Sequence, residues 1–234
     1  MKNNKFKLGK FQIGGDDVFI IAEACDNHLG NMNVAIEMIK QAKNAGADCI
    51  KFQHHLPDEE MLSDTPMSSN FEEPLYEFLK KYALSIDQHI ILKKICEENN
   101  ILYLCTPFSY KAAEELNNIG VNFFKIGSGE MTDIPTLKKI CKFKKPIIIS
   151  TGMSTFEEII RTYKSLENEE VNLAFMNCLS EYPPIYEDMN LKVISQLQTL
   201  LPKAVIGHSD HTPDLYTSYA AVTLGAKIIE KHII

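Results

Sequence analysis

Two histidines near the end of the chain each follow a short apolar run, in "VIGHSDHTPD" and "AKIIEKHII". His211 and His232 are therefore expected at the mouths of neighbouring strands, with a carboxylate such as Asp210 or Glu23 nearby. Two imidazoles and a carboxylate suit a divalent metal that keeps open coordination positions. The histidines show neither H-x-H nor HExxH spacing, so the alternative is a pair of ordinary hydrogen-bonded histidines.

Two lysines lie inside otherwise apolar runs, Lys51 in "CIKFQ" and Lys125 in "FFKIGS". A buried ammonium group without a partner is costly, so each lysine needs an anion or a functional reason to be there. Together with nearby hydroxyl groups, the lysines predict a clamp for a phosphate or a carboxylate. These hydroxyl groups belong to Ser128, Ser150 and Ser209. The alternatives are an ion pair with a rim glutamate and a Schiff-base lysine.

Three further side chains are predicted at the same rim. Glu23 and Glu130 offer carboxylates for proton transfer or for hydrogen bonds to sugar hydroxyl groups, and either could instead pair with a rim lysine. The "GSGE" loop adds backbone N–H groups close to Ser128, which suit an oxyanion. Tyr182 lies on the rigid turn "EYPP", where it is either a polar group of the rim or a packed aromatic ring.

The elements that position these groups alternate between short β-branched runs and longer segments of helical period. The predicted strands are "VFIIAEA", "DCIKFQ", "ILYLCTP", "NFFKIGS", "PIIIST", "NLAFMNC", "AVIGHSD" and "AKIIEKH". Eight parallel strands separated by helices predict an α/β fold, a TIM (β/α)8 barrel, with functional groups at the carboxyl ends of the strands. The competing fold is an open doubly wound sheet, but no G-x-G-x-x-G follows the first strand.

The barrel is predicted to occupy residues 18–234 as one domain, because no linker rich in Pro, Gly or Ser interrupts it. Residues 1–17 are predicted to form an N-terminal polar segment, or a hairpin turning at Gly14 and Gly15, that caps the barrel. Residues 54–74 read as an irregular stretch that exceeds the usual length of a βα loop, so we expect a binding loop there.

The composition narrows the class of partner. A formal charge of −7 argues against nucleic acid and against an anionic membrane surface, because phosphate binding depends on Lys and Arg. No segment of the sequence reads as a signal peptide or a membrane span. The six cysteines show no C-x-x-C spacing, so we expect reduced core residues of a cytoplasmic protein.

A set of motifs carries a resemblance to a known family. The motifs are "IIAEACDNHLGN", "AGADCIKFQ", "CTPFS", "FFKIGSGEMTDIP", "IIISTGMSTFEEI", "CLSEYPP", "DMNL", "GHSDHT" and "LGAKIIEKH". In this order they closely resemble the N-terminal synthase barrel of the sialic acid synthase family, which includes N-acetylneuraminate, legionaminate and pseudaminate synthases. The resemblance runs from about residue 18 to the end.

The resemblance implies the condensation of phosphoenolpyruvate with an open-chain N-acetylated amino sugar, giving a nonulosonic acid and phosphate. It implies a divalent metal, typically Mn²⁺ with Mg²⁺ or Co²⁺ as alternatives, held by His211 and His232. The positions that match phosphoenolpyruvate-binding residues are Lys51, Thr106, Lys125, Ser128, Ser150, Ser180 and Ser209. The positions that match groups near the reacting atoms, the sugar or metal-bound water are Glu23, Glu130, Tyr182 and Asp210.

The sequence departs from the family pattern at Cys25, where Gly is common, and at Asn177 and Leu179, where His and Thr are common. We expect these departures to affect the sugar side of the site. Family members continue through an eighth helix into a C-terminal antifreeze-like domain and form homodimers, so we expect a truncated chain. The alternatives to a synthase are therefore a catalytically silent barrel that only binds ligand and a Schiff-base aldolase.

Overall fold

The computed structural model describes residues 5–67 and 73–234. Its strands are β1 (Phe6–Leu8), β2 (Phe11–Ile13), β3 (Phe19–Glu23), β4 (Cys49–His54), β5 (Leu102–Pro107), β6 (Phe124–Ile126), β7 (Ile147–Ser150), β8 (Leu173–Cys178), β9 (Val205–Asp210) and β10 (Ile228–His232). Its helices are α1 (Met32–Asn44), α2 (Pro57–Glu60), α3 (Leu75–Tyr82), α4 (Ile86–Glu98), α5 (Tyr110–Asn118), α6 (Ile134–Cys141), α7 (Phe156–Leu166), α8 (Val193–Leu200) and α9 (Tyr216–Thr223).

The eight strands β3–β10 form one parallel sheet in the order β5-β4-β3-β10-β9-β8-β7-β6. The ladder joins the last strand to the first, with His232 of β10 opposite Glu23 of β3. Strands β5 and β6 lie in contact at the remaining seam, where the described residues form no ladder hydrogen bonds. The sheet is thus a nearly closed barrel, and the prediction of a TIM-barrel fold with these eight strands is confirmed.

Five helices, α1, α4, α5, α6 and α7, begin at a residue whose side chain caps them. Ser85 before α4 and Thr155 before α7 each form a capping box with the residue at N3, and Asn31 accepts backbone N–H groups at the start of α1. The buried faces of these helices pack on the outer surface of the barrel, as Ala35, Met38 and Ile39 do in α1. In these βα units the capping residues and the buried apolar face therefore indicate the same helix.

The inside of the barrel divides into an apolar part and a polar part. Alternate residues of each strand point inward, and those nearer the amino ends are apolar, for example Phe19, Ile21, Leu104 and Ile148. Only near the carboxyl ends do charged residues replace them. The fold thereby confines the polar chemistry to one end of a packed core.

A hairpin closes the apolar end. Strands β1 and β2 pair antiparallel, and Phe6, Leu8 and Ile13 join the inner cluster. The predicted turn at Gly14 and Gly15 is wrong, because Leu8 pairs with Phe11 and the chain therefore turns at Gly9 and Lys10. Gly9 has φ +56°, a conformation that side chains with a Cβ adopt at a cost.

The long segment after β4 contains the helices α2 and α3 before α4 begins. Residues 68–72 of the expected binding loop lie outside the described residues. Across residues 5–67 and 73–234, every helix is too short or too polar to span a bilayer.

Candidate functional site

The polar end of the barrel collects one inward side chain or more from each strand. Strand alternation selects which residues point inward, because residues two apart share a face. The inward groups that line the mouth include Glu23, Lys51, Thr106, Lys125, Ser150, Ser209 and Glu230. They surround a cavity of about 310 Å³. The structure thus brings most of the predicted site residues into one place.

Two buried ion pairs form the floor of this mouth. Lys51 Nζ lies 2.5 Å from Glu23 Oε2 and donates to Thr106 Oγ1 over 3.1 Å. Lys125 Nζ donates to Glu230 Oε1 over 3.0 Å. All four charged side chains are at most 5% exposed. The lysines therefore occupy ion pairs in this structure, as one of the sequence alternatives anticipated, although Lys125 pairs with Glu230 and not with Glu23 or Glu130.

Glu230 connects the two pairs. Its Oε1 also accepts the Ser209 hydroxyl over 3.0 Å, and its Oε2 lies 3.8 Å from Lys51 Nζ. Burial alone would raise the pKa of Glu230, but Lys125 and Lys51 lower it to about 2. Glu230 is therefore the carboxylate that stays ionised between the two ammonium groups.

Glu23 and Lys125, which also belong to the floor, have pKa values shifted in the opposite direction to those of an ordinary ion pair. Burial raises the pKa of Glu23 to about 7 against the opposing charge of Lys51, so this carboxyl can hold or release a proton near neutral pH. Burial also lowers the pKa of Lys125, although Glu230 opposes that change. A carboxyl poised near neutrality beside an ammonium group is suited to proton transfer.

Hydroxyl groups and a glycine complete one wall of the mouth. The buried Ser150 hydroxyl has no hydrogen-bond partner in the described part of the chain. A Cβ placed on Gly152 would lie 2.4 Å from Ser180 Oγ and 2.8 Å from Ser128 Oγ. The absence of a side chain at Gly152 therefore keeps two hydroxyl groups close together beside the two lysines, which is an arrangement that can receive an oxyanion.

The two histidines lie side by side with Tyr182. The ring centroids of His211 and His232 are 5.2 Å apart, and the Tyr182 ring stacks on His211 at 4.2 Å. His211 Nδ1 donates to the carbonyl of Leu179 over 2.7 Å, which leaves Nε2 unprotonated and 3.1 Å from the Tyr182 hydroxyl. Burial lowers the pKa of both histidines, that of His232 to about 4. Both rings are therefore neutral near pH 7.

This pair can supply two neutral imidazole ligands, with one tautomer fixed by a backbone carbonyl as in many metal sites. Among residues 5–67 and 73–234, no group of three His, Cys, Asp or Glu side chains is arranged to hold a metal ion. A metal held here would thus take its remaining ligands from water or substrate. The donor set fits an open catalytic site and not a closed structural one.

Asp210 does not join the other predicted residues. It alternates with Ser209 and faces α9, where its carboxylate accepts hydrogen bonds from Thr212, Thr217 and Ser218 at 2.6–2.9 Å. These donors lower the pKa of Asp210 to about 2 against the effect of burial. The expected place of Asp210 at the mouth is therefore wrong, because strand alternation turns it toward the helices.

Asn177 is also turned outward. It alternates with Cys178 on β8 and lies beside His208, with its amide nitrogen 3.3 Å from His208 Nδ1. The side chain of Asn177 therefore does not line the mouth cavity. Cys25 does border the mouth, and its φ of +49° is the left-handed conformation that glycine adopts without strain.

Glu130 lies at the edge of the mouth and folds back over Gly127, whose added Cβ would lie 2.3 Å from Glu130 Oε2. Burial raises the pKa of this carboxyl. Cys25 and Cys178 are half-buried and line the mouth, so the expectation that every cysteine belongs to the core is wrong for these two. The other four cysteines are buried.

Two members of the site, which the sequence places at strand ends, were given no role from the sequence. Glu230 shares a face with His232, and Gln53 shares a face with Lys51, since each pair is two residues apart on a strand. Gln53 Nε2 donates to Glu23 Oε1 over 3.3 Å. The period of two within "IIEKH" and "CIKFQ" was the signal that would have selected both residues.

The chain is similar in sequence to known proteins of one family. The sequence profile of the NeuB family matches residues 38–234. An N-acetylneuraminate-9-phosphate synthase from Homo sapiens is 36% identical over 96% of this chain and 64% of its own length. An N,N'-diacetyllegionaminic acid synthase from Campylobacter jejuni is 37% identical over 91% of this chain and 66% of its own length.

The fold comparison gives the same family. The crystal structure of an N-acetylneuraminic acid synthetase from Leptospira borgpetersenii superposes with a TM-score of 0.87 and 32% identity, covering 98% of this chain and 78% of that one. The chain spans just under two thirds of the two curated relatives named above. The resemblance read from the strand-end motifs is thereby confirmed, and the chain belongs to the NeuB family.

Proposed function

We propose that this chain is the synthase barrel of an enzyme that joins phosphoenolpyruvate to an open-chain N-acetylated amino sugar, releasing phosphate and a nonulosonic acid. The observation that carries the proposal is the mouth itself. Two buried lysines, an unpartnered Ser150 hydroxyl and the cleft at Gly152 lie together at the carboxyl end of the barrel. The names of the relatives support the class of product.

The anionic substrate is assigned to the lysines and hydroxyl groups. Phosphoenolpyruvate carries a carboxylate and a phosphate, and ammonium groups in a buried site attract both more strongly than they would in water. Ser128 and Ser180 are assigned to its oxygens beside Gly152. We assign Thr106, Ser150 and Ser209 to orient the same anion with Lys51 and Lys125.

In the proposed reaction, C3 of phosphoenolpyruvate forms a bond to the aldehyde carbon of the sugar, the aldehyde oxygen takes a proton from solvent to become a hydroxyl group, and C2 is left cationic. Water then adds to C2 with loss of one proton. The tetrahedral intermediate expels phosphate by cleavage of its C–O bond, and the remaining hydroxyl proton leaves with phosphate as C2 becomes a carbonyl carbon. Glu23 is assigned to take the proton of that water, because its pKa near 7 lets it accept one at neutral pH. Tyr182 and Glu130 are assigned to hold the sugar.

His211 and His232 are assigned to hold the divalent metal, with Mn²⁺ as the expected ion. A bound metal would polarise the sugar aldehyde as a Lewis acid. The fixed tautomer of His211 and the neutral state of both rings support this assignment. Asp210 is given no direct contact with substrate, since its carboxylate faces α9.

The test is calorimetric titration of phosphoenolpyruvate into the protein, followed by measurement of phosphate release with N-acetylmannosamine and Mn²⁺. We expect Lys125→Ala to weaken phosphoenolpyruvate binding by about a hundredfold, since it removes a buried charged partner. Lys138→Ala, an exposed lysine of α6, is the matched control. Unchanged binding by folded Lys125→Ala protein would contradict the proposal.

A second candidate is the Schiff-base aldolase, and the lowered pKa of Lys125 is the observation that favours it. Borohydride reduction with pyruvate distinguishes the two, because only the aldolase gives a covalent adduct on lysine. Binding of phosphoenolpyruvate without phosphate release, in the presence of the sugar and metal, would instead support a ligand-binding barrel. A homodimer and a cytoplasmic location stay predictions. Light scattering of the purified protein would test the homodimer.

A further inference from the structure

A second cavity, which we call the side cavity, opens beside the mouth. It has a volume of about 510 Å³ and shares Cys25, Gln53, Phe108 and Glu130 with the mouth. The two cavities therefore adjoin at these four side chains. The side cavity is large enough for the far half of a sugar chain.

The two cavities differ in their charged groups. In the mouth the carboxylates of Glu23 and Glu230 are paired with lysines, whereas the lining of the side cavity includes Asp26, Glu60 and Glu130 and, among the described residues, no Lys or Arg. Burial raises the pKa of Asp26 and of Glu130, and the charge of Glu60 contributes to both shifts.

His55, the histidine among the described lining residues of the side cavity, already has hydrogen-bond partners within the protein. Its Nδ1 lies 2.8 Å from Glu60 Oε1, and its Nε2 lies 2.9 Å from Gln53 Oε1. The ring stacks on Phe108 with centroids 4.1 Å apart. Both ring nitrogens are therefore used within the protein. His55 can hold Gln53 toward Glu23, but it has no free N–H group to offer a phosphate.

The opposite wall of the side cavity is apolar. Leu29, Met61, Leu75 and Phe78 contribute to it. Carboxylates accept hydrogen bonds from sugar hydroxyl and amide groups, and apolar side chains receive methyl groups. The combination suits a neutral chain of hydroxyl, acylamino or deoxy groups.

We propose that the side cavity selects an acceptor sugar without phosphate at its far end; this inference rests on the proposed function. Phosphoenolpyruvate supplies three carbons, so carbon 9 of the product comes from carbon 6 of the sugar. A 9-phosphate product therefore requires a sugar 6-phosphate, whose dianion would lie among three carboxylates with no Lys or Arg in the described lining. Repulsion between like charges in a partly buried cavity disfavours that complex.

The test is calorimetric titration of N-acetylmannosamine and of its 6-phosphate into the protein saturated with phosphoenolpyruvate. We expect the neutral sugar to bind at least about thirtyfold more tightly than the phosphate ester. Asp26→Asn and Glu60→Gln should each narrow this ratio by about fivefold, since each removes one negative charge. Glu59→Gln, the exposed neighbour on α2, should leave the ratio unchanged.

The outcomes separate this inference from the proposed function. Equal or tighter binding of the phosphate ester would overturn the selectivity, while phosphate release with either sugar would leave the proposed function intact. Binding of phosphoenolpyruvate without binding of either sugar would also overturn the inference, because the side cavity would not be an acceptor site. Failure to bind phosphoenolpyruvate at all would count against both proposals.

Discussion

The barrel mouth and a cluster of three histidines outside it bury polar groups in different ways. His28, His54 and His89, which we call the histidine cluster, lie between the sheet and the helices. One ring nitrogen of each histidine has a hydrogen-bond partner within the protein. For His89 this is Nδ1, which lies 2.7 Å from the Tyr103 hydroxyl. Burial lowers the pKa of all three, so they are neutral. The mouth instead buries ionised groups.

Both regions leave buried polar atoms without partners in the described residues, including Ser150 Oγ in the mouth and His89 Nε2 in the cluster. None of the three histidines lines the mouth or the side cavity. An unpartnered atom therefore indicates a binding site only where it faces open space together with converging charges. The comparison separates a site that can accept a ligand from a buried network that serves the fold.

The largest expected effect is a loss of stability in the mouth that a bound ligand should reverse, whereas a loss of stability in the histidine cluster should not be reversed. Glu230→Gln removes the carboxylate between Lys51 and Lys125, and we expect it to lower the free energy of unfolding by about 3 kcal/mol. Phosphoenolpyruvate should restore much of that loss, because its negative charges replace the missing carboxylate. Thermal melts with and without phosphoenolpyruvate provide the measurement.

The matched control is Glu187→Gln, which changes an exposed glutamate and should leave the melting temperature unchanged. His89→Phe in the histidine cluster should also be destabilising, but phosphoenolpyruvate should raise its melting temperature no more than it raises that of the unchanged protein. An equal loss in Glu230→Gln with and without ligand would mean that the mouth does not receive an anion.

Lowering the pH should destabilise the protein through the histidine cluster. The pKa of His28 is lowered by burial from 6.5 to about 4, so the unfolded chain binds its proton more readily than the folded protein. The stability contributed by neutral His28 is therefore complete above pH 6.5 and is lost as the pH falls toward 4, by about 3 kcal/mol for a shift of this size. Urea unfolding at a series of pH values measures this loss.

His28→Asn is the variant that isolates this effect. His28 Nδ1 accepts the Gly30 N–H over 3.0 Å, and the Asn side-chain oxygen can accept the same group without titrating. The variant should have a flatter dependence of stability on pH between 4 and 6.5. A slope equal to that of the unchanged protein would remove His28 from the explanation of acid lability.

A smaller effect is expected at the cleft of the mouth. Gly152→Ala would place a methyl group against the Ser128 and Ser180 hydroxyl groups, and the backbone at this position does not require glycine. We expect phosphoenolpyruvate affinity to fall by about tenfold, because the two hydroxyl groups must move apart. Calorimetric titration measures this, and an unchanged melting temperature shows that the fold is intact. Unchanged affinity would place the anion elsewhere in the mouth.

The sequence was sufficient for the fold because its signals were local and repeated. All eight barrel strands were predicted from apolar runs, and the rim lysines followed from cations inside those runs. The predicted placement of Asp210 was wrong because a strand end does not by itself determine which face a side chain takes. Adjacent residues alternate between the mouth and the helices, and Asp210 faces the helices. The partner of Lys125 could not be read, since Glu230 lies 105 residues away and pairs with it only after the barrel closes.

The smallest expected effect concerns Cys25, where the chain departs from the glycine common in the family. Its φ of +49° costs a side chain about 1 kcal/mol, which Cys25→Gly removes while making the unfolded chain more flexible by a similar amount. We therefore expect Cys25→Gly to change the free energy of unfolding by less than about 0.5 kcal/mol. Cys25→Val should destabilise by about 1–2 kcal/mol more, because a β-branched side chain fits this conformation poorly. If urea unfolding gave equal stabilities for the two variants, backbone strain at Cys25 would not shape this edge of the mouth.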